Sequence, residues 1–363
     1  MLATQWSPKI SIAKLTVSLQ HKPIFIADIG ANHDGDLGRA TDLIYLAAEA
    51  GADVAKFQHF SAQTIVSDFG FKNLDPKHLS HQKNWSKTVY EIYKDASIDN
   101  AWNESLRDAC REAGIVFMTS PYSKKLVDIV DPLVPAHKIG SGDITWIDLI
   151  QHVANKDKPY MLACGASNLD DVQRAVNACT AVNPNIVLMQ CNTNYTGSLE
   201  NFKYVNLNVL RNFAELYPSM LLGLSDHTPG HSTVLGAIAL GARVIEKHFT
   251  DDKSRTGPDH SFAMNPSDWR EMVDRGNELF FALGDGVKKI ERNEEETAVL
   301  QRRCVRTSRA MGEGEVITEN DLAVLRPCPA GAISPTDMST IVGQKLTKSL
   351  RDGEEILWSD LAK

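Results

Sequence analysis

The sequence predicts an α/β protein: a closed (β/α)8 barrel of the TIM type followed by a small C-terminal domain of short strands and turns. Three observations lead there. Eight short apolar runs recur up to about Phe249, and segments with helical periodicity separate most of them. Past a charged stretch near residue 290, the pattern changes to brief apolar runs broken by glycine and proline.

In order, the eight runs are IFIADIG, DVAKFQ, IVFMTS, AHKIGSG, YMLACG, IVLMQC, MLLGLSD and ARVIEKHF. Their near-continuous hydrophobicity suits parallel strands buried on both faces. LGRATDLIYLAAEAG, NESLRDACREAG, NLDDVQRAVNAC and HSTVLGAIALGA have helical spacing, several with a closing glycine that suits a C-cap. A closed barrel needs roughly 250 residues, which this region supplies, and no G-x-G-x-x-G follows the first run to suggest an open doubly wound sheet. The interval from Phe60 to Trp102 is too long for one helix and reads as a barrel-top insertion that helps cover the active site. NPSDWREMVDRGNELFFALGDG is the last barrel helix, and VKKIERNEEETAVLQRR is a solvated helix or linker. The expected boundaries are a barrel over residues 1–285, a linker over 286–303 and a small domain over 304–363.

Of 363 residues, 43% are hydrophobic and 23% charged, which excludes a disordered or fibrous chain. A net charge of −8 argues against a nucleic-acid partner, whose footprint would be basic, and points to a small molecule. The six cysteines form no C-x-x-C pair and read as reduced core thiols of a cytoplasmic protein. MLATQWSPKISIAKLTV lacks the apolar core of a signal peptide, and no run approaches the roughly 20 apolar residues of a membrane span. Neither secretion nor membrane insertion is expected.

In a (β/α) barrel the active site forms at the C-terminal ends of the strands, and here nearly every run ends in polar residues. The first gives Asp28, Asn32 and His33, the second Lys56, Gln58 and His59, the third Thr119 and Ser120, the fourth Lys138, Ser141 and Asp143. The sixth gives Asn192, Asn194 and Tyr195, the seventh Ser225, Asp226 and His227, the eighth Glu246, Lys247 and His248. The helix STVLGAIALGA returns the chain to the barrel floor, so the next strand brings His248 up beside His227. Two imidazoles on neighbouring strand ends can ligate a divalent metal and leave positions open for substrate. Lys56 and Lys138 each end a strand that is otherwise buried, where an unpaired ammonium is costly. A bound anion, cradled with Ser141, Ser225 and the KIGSGD backbone, would compensate it; an internal ion pair with Asp28 or Asp143 is the alternative. Asp259, on the turn-rich RTGPDHSF loop, can hold a substrate hydroxyl or simply stabilise its turn.

IADIGANHDG, GADVAKFQ, HKIGSGD, GLSDHTPGH and ALGARVIEKHFTDD with RTGPDHSF resemble the sialic acid synthase family. That family condenses phosphoenolpyruvate with an N-acylated aldose to make a nine-carbon 2-keto acid. The tail EGEVITENDLAVLRPCPAGAISP resembles its antifreeze-like (SAF, β-clip) domain, related to type III antifreeze proteins. The resemblance implies that His227 and His248 hold a manganese or magnesium ion. It implies Lys56, Lys138, Ser141 and Ser225 around phosphoenolpyruvate, with Gln58, Tyr195 and Asp259 near the sugar. It further implies that Arg326 reaches the N-acyl group in a partner subunit's site, hence a domain-swapped homodimer. Asp28, Asn32 and Asp143 complete the expected catalytic and substrate-binding set.

Against that family's pattern, Asp28 and Asp143 each stand where glutamate is usual, shortening two carboxylates by a methylene. Ala163 stands for a serine expected at the phosphate, and CNTNYTGS puts Thr193 at the usual asparagine position. These departures leave the aldose open between N-acetylmannosamine, a 2,4-diacetamido-trideoxyhexose and others. The competing expectations are a condensing synthase of aldose phosphates, which the SAF-like tail opposes, a metal-dependent barrel hydrolase, and a catalytically inactive carbohydrate-binding homologue. A hydrolase would need H-x-H after the first strand, where this chain has NHD.

Overall fold

The computed structural model describes residues 6–75, 82, 85 and 87–362. Contacts divide the chain into two compact units, Met1–Gly284 and Asp285–Lys363.

The first unit opens with an antiparallel hairpin of β1 (Lys9–Ile12) and β2 (Leu15–Ser18). Eight parallel strands follow: β3 (Ile24–Asp28), β4 (Val54–His59), β5 (Val116–Pro121), β6 (His137–Ile139), β7 (Tyr160–Ala163), β8 (Ile186–Cys191), β9 (Leu221–Asp226) and β10 (Ala242–His248). They form a closed barrel in sequence order, with β10 pairing back onto β3. Each of the eight apolar runs supplies one of these strands, β4 and β5 each reaching one residue past its run.

Successive side chains on a strand point to opposite faces, and this alternation builds two cores. Phe25 and Ala27 of β3 pack outward among the helices, while Ile24 and Ile26 join Val54, Val116, Met118, Met161, Val187, Leu221 and Val244 inside the barrel. Gly223 keeps β9 close to its neighbours: a Cβ there would lie 2.7 Å from the Val244 carbonyl oxygen and 2.9 Å from Met189 Cγ. Toward the C-terminal ends the same inward rows turn polar, Ile26 giving way to Asp28, Val54 to Lys56 and Val244 to Glu246 and His248. The apolar interior thus fills the lower barrel and the polar one its mouth.

Sequence reading did not anticipate the β1–β2 hairpin. Its strands are four residues each, too short for a periodic signal, yet Ile10, Ile12 and Val17 complete the inner apolar core. The expected insertion carries short helices Ala62–Ile65, Asp68–Lys72 and Val89–Asp95, the last with a Thr88–Glu91 capping box. Residues 76–81, 83, 84 and 86 of that insertion lie outside the described residues. Phe60 and Ala96, with Ala31, Ile65, Tyr93 and Tyr122, form a separate small apolar cluster.

In the second unit β11 (Cys304–Thr307) pairs antiparallel with β12 (Leu322–Leu325) over a core of Val305, Ile317, Ile333, Ile341, Leu346, Leu350 and Ile356. The stretch expected as a linker contains the exposed helix Glu295–Gln301, and the Cys328 backbone amide donates to the Val299 carbonyl at 2.8 Å. Among the described residues, no helix is long and apolar enough to cross a membrane.

Candidate functional site

Strand register assembles the site. His248 is level with Asp28 and Asp28 with Lys56, across β10, β3 and β4. Glu246 is level with Ser225 and Ser225 with Cys191, across β10, β9 and β8. These side chains open into a cavity of about 400 Å³, within the range of small-molecule sites. Of the candidate residues, Asp28, Lys56, Gln58, Lys138, Ser141, Asp143, Tyr195, Ser225, His227, His248 and Asp259 line it.

Two lysines sit at its deep end, each against a carboxylate. Lys56 Nζ lies 2.8 Å from Asp28 Oδ2, and Lys138 Nζ 2.7 Å from Glu246 Oε1, which also accepts from Ser225 Oγ at 3.2 Å. Lys56 is 4.0 Å from the same Glu246 oxygen, so the four charges form one buried network. Burial opposes charge at Asp28 and Glu246, but the neighbouring ammonium groups outweigh it and hold both carboxyls below the usual range. For Lys56 the same balance ends with its affinity for the proton raised. The alternative of an internal ion pair therefore holds at Lys56 with Asp28. At Lys138 the partner is Glu246 and not Asp143, because both point inward from the barrel wall while Asp143 lies on the turn beyond β6.

Among the described residues Asp143 pairs with no cation, and burial pushes its carboxyl up to about 6. Ser141 Oγ accepts from the Gly165 backbone amide at 3.0 Å, joining the KIGSGD turn to the end of β7. Gln58 Nε2 donates to Asp28 Oδ2 at 2.9 Å.

His227 and His248 face each other with ring centroids 5.4 Å apart. His227 Nδ1 donates to the Asn192 carbonyl at 2.9 Å, and Tyr195 lies edge-on to its ring at 4.5 Å. Burial works against charge on both His227 and Cys191, and their mutual contact outweighs it, raising the imidazole and lowering the thiol. His248 stands between two carboxylates, 3.6 Å from Asp28 Oδ2 and 3.6 Å from Asp259 Oδ2. Burial nevertheless dominates and lowers its pKa, favouring the neutral ring that ligates metals. Its Nδ1 has no hydrogen-bond partner, nor does Glu246 Oε2. Among the described residues, no group of three or more His, Cys, Asp or Glu side chains is arranged to hold a metal ion.

Asp259 accepts from the Ala31 backbone amide at 3.1 Å and crowds Gly30, whose φ is +52°. A Cβ at Gly30 would sit 2.7 Å from Asp259 Oδ2, so this turn needs glycine on both counts.

Two expected residues are not brought into the cavity of this unit. Asn32 is buried in the loop after β3, where its Nδ2 donates to the Phe249 carbonyl at 2.9 Å and its Oδ1 has no hydrogen-bond partner. Arg326 follows β12 in the second unit and is exposed. Other lining residues had been given no role: Glu246, named only among the polar strand ends, and Cys191, Tyr93 and Tyr122. Glu246 was legible in principle, since it lies two positions before His248 on one strand and therefore on the same face.

Known proteins match this fold and sequence. Residues 43–288 match the NeuB family and residues 302–362 the SAF domain. The chain is 35% identical over 345 residues to N,N'-diacetyllegionaminic acid synthase of Legionella pneumophila, covering 93% of this chain and 94% of that protein. It is 31% identical over 339 residues to human N-acetylneuraminate-9-phosphate synthase, covering 93% and 92%. The crystal structure of spore coat polysaccharide biosynthesis protein SpsE of Bacillus subtilis superposes with a TM-score of 0.63 at 29% identity, covering 98% of this chain and 99% of that one. With an eight-stranded barrel, polar strand ends converging on one cavity and family matches across both units, the chain belongs to the NeuB family and carries a C-terminal SAF domain.

Proposed function

We propose that this protein condenses phosphoenolpyruvate with the open-chain aldehyde of an N-acylated aldose, yielding a nine-carbon 2-keto acid and phosphate. The observation that carries the reading is the pair of buried ammonium groups, Lys56 and Lys138, in one cavity with two facing imidazoles. Relatives named as N,N'-diacetyllegionaminic acid, pseudaminic acid and N-acetylneuraminate-9-phosphate synthases support it.

Lys56 and Lys138, with Ser141 and Ser225, hold the phosphate and carboxylate of phosphoenolpyruvate at the deep end. C3 of phosphoenolpyruvate bonds to the aldehyde carbon with the enol π pair while the carbonyl π pair moves to oxygen, which takes up a proton. Water adds at C2 and loses a proton, and the new C2 hydroxyl then gives up its proton to form the ketone as the C2–O bond breaks and the electron pair leaves with phosphate. Asp143, whose proton affinity lies near neutrality, takes the proton from that water. Gln58, Tyr195 and Asp259 orient the acceptor, and Asp28 keeps Lys56 charged and Gln58 in place.

His227 and His248 suit a divalent manganese or magnesium ion: they are buried, they face each other, and His248 Nδ1 makes no hydrogen bond, its nearest carboxylate being Asp259 at 3.6 Å. With two protein ligands, the remaining positions would go to water and substrate. Such an ion supplies Lewis-acid polarisation of the acceptor carbonyl. The reading also includes a domain-swapped homodimer in which Arg326 of one copy meets the acceptor's acyl group in the other. Six free cysteines support a reducing, cytoplasmic setting.

The test is phosphate release from phosphoenolpyruvate with manganese across N-acylated and plain aldoses, with product mass detection. A nine-carbon keto acid from an N-acylated sugar supports the reading; no release with any aldose overturns it. His227→Ala should lower manganese affinity, measured by calorimetry, by about 100-fold, and chelation should stop turnover. Full activity after chelation would remove the metal from the scheme.

A further inference from the structure

The loop that carries Asp259 is fastened from outside the cavity. It leaves the end of β10 and runs to the short turn His260–Phe262; along it Pro258 and Asp259 line the cavity, and the Phe262 ring lies 5.0 Å from that of His248. The fastening centres on one carboxylate, Asp34, in the loop after β3. Asp34 Oδ1 accepts from His260 Nε2 at 2.9 Å, and Asp34 Oδ2 accepts from Arg255 Nη2 at 2.7 Å and lies 3.1 Å from Arg39 Nε. His260 is fully buried, and its Nδ1 hydrogen-bonds with the Thr250 hydroxyl at 2.7 Å, so both feet of the loop meet on one imidazole. Gly257 makes room for that ring: a Cβ there would lie 2.6 Å from His260 Cδ2. Arg39 reaches on to grip Asp251 with both of its Nη atoms. Burial opposes charge on Asp34, but His260, Arg255 and Arg39 outweigh it and keep the carboxyl below the usual range. Asp34, Arg39, Asp251, Arg255 and His260 all stand outside the cavity lining.

We propose that Asp34 is a positioning residue for the sugar acceptor: through His260 and Arg255 it clamps the loop over residues 249–262 onto the barrel and so sets the Asp259 carboxylate in the cavity. The inference rests on the synthase reading and deepens it by naming what holds the acceptor's hydroxyl partner in place. Asp259 shares the cavity with the buried anions Asp28 and Glu246, and like charges favour its swinging out toward solvent. Its own tie is the 3.1 Å hydrogen bond from the Ala31 backbone amide, made to a neighbouring loop. The clamp supplies what that tie lacks, since it fixes the loop's two feet and its middle to one point. Position matters here because misplacing a substrate-holding group by about 1 Å can cost on the order of 100-fold. Asp34 has a φ of +54°, a left-handed backbone that asparagine also adopts, so Asp34→Asn removes the charge and leaves the turn.

The experiment compares Asp34→Asn, Asp259→Asn and the double variant as full-length proteins with manganese and phosphoenolpyruvate. The acceptor is N-acetylmannosamine or a 2,4-diacetamido-trideoxyhexose, whichever the wild type turns over faster. We expect Asp34→Asn to raise the acceptor KM about 10-fold with the phosphoenolpyruvate KM unchanged, and to have no further effect once Asp259→Asn is present. A merely structural role would add to the Asp259→Asn loss; additive effects, or equal rises in both KM values, overturn the inference. Limited trypsin digestion reads the clamp without turnover. Asp34→Asn should speed cleavage after Lys253 and Arg255 about 10-fold, mapped by mass, while cleavage within the second unit keeps its wild-type rate. Equal rates at the loop overturn the clamp. Should Asp34→Asn not fold, Arg255→Gln, at an exposed position, carries the same test: the acceptor KM should rise about 3-fold and cleavage after Lys253 quicken, and no change in either overturns the inference. No turnover by the wild type with either sugar overturns the synthase reading and with it the role in acceptor binding, while the tryptic rates still decide the clamp.

Discussion

Lys56 and Lys138 hold the floor of the cavity, each against its own carboxylate, and the network stays polar without leaving a net charge on its four members. Among the described residues that arrangement leaves Asp143 paired with no cation, and its carboxyl is destabilised as an anion by burial alone. The sign follows directly. A carboxyl with its pKa raised to about 6 is protonated below that pH and accepts a proton above it. The kcat of the proposed condensation should therefore fall on the acid side with a midpoint near 6, and Asp143→Asn should abolish that limb along with most of the rate. A pH profile in the variant that keeps the wild-type midpoint would assign the limb to another group.

At the scale of elements, the residue that ends β10 and the one that follows β9 are the two facing imidazoles, and their spacing is secured from behind. Asp226 and Lys247 point outward from the barrel, Lys247 Nζ contacting Asp226 Oδ2 at 2.5 Å. Thr228 and Thr233 each donate a hydroxyl to the same oxygen at 2.8 Å. The network ties the ends of both strands to the start of helix Ser232–Ala239. In front, Gly223 lets the neighbouring backbone and Met189 close in. Gly223→Ala should destabilise the barrel by about 1–3 kcal/mol, read as a lower urea midpoint with an unchanged slope. A midpoint equal to wild type would show that Met189 and the Val244 peptide relax without strain.

At the scale of the whole molecule, the barrel and the SAF domain are separate units with separate cores, and Arg326 belongs to the second. The proposed swap makes each active site a joint product of two chains. Mixing Arg326→Ala protomers with His227→Ala protomers should then restore about a quarter of wild-type activity per total site, since random pairing makes half the dimers mixed and each mixed dimer has one intact site. No recovery on mixing, with exchange of protomers verified by mass, would place Arg326 outside the partner's site.

The sequence alone determined the eight strands, their order and the polar character of their ends. Each depends on local pattern: runs such as IVLMQC are apolar throughout because parallel strands are covered on both faces, and the change to polar residues follows the row from core to mouth. His227 and His248 were readable as a pair because one helix separates two adjacent strands. What the tertiary structure decided are the partners across the barrel. Lys138 meets Glu246 from a strand on the far side of the chain, 108 residues away, a contact fixed by closure and register. Asn32 is read from the sequence as a site residue; the turn after β3 directs its Nδ2 to the Phe249 carbonyl, while its buried Oδ1 has no hydrogen-bond partner. Tyr93 and Tyr122 carry no motif at all. Tyr93 joins the cavity because an insertion folds back over the strand ends, and Tyr122 because the chain leaving β5 runs along the mouth; long-range burial of that kind leaves no periodic trace in a linear chain.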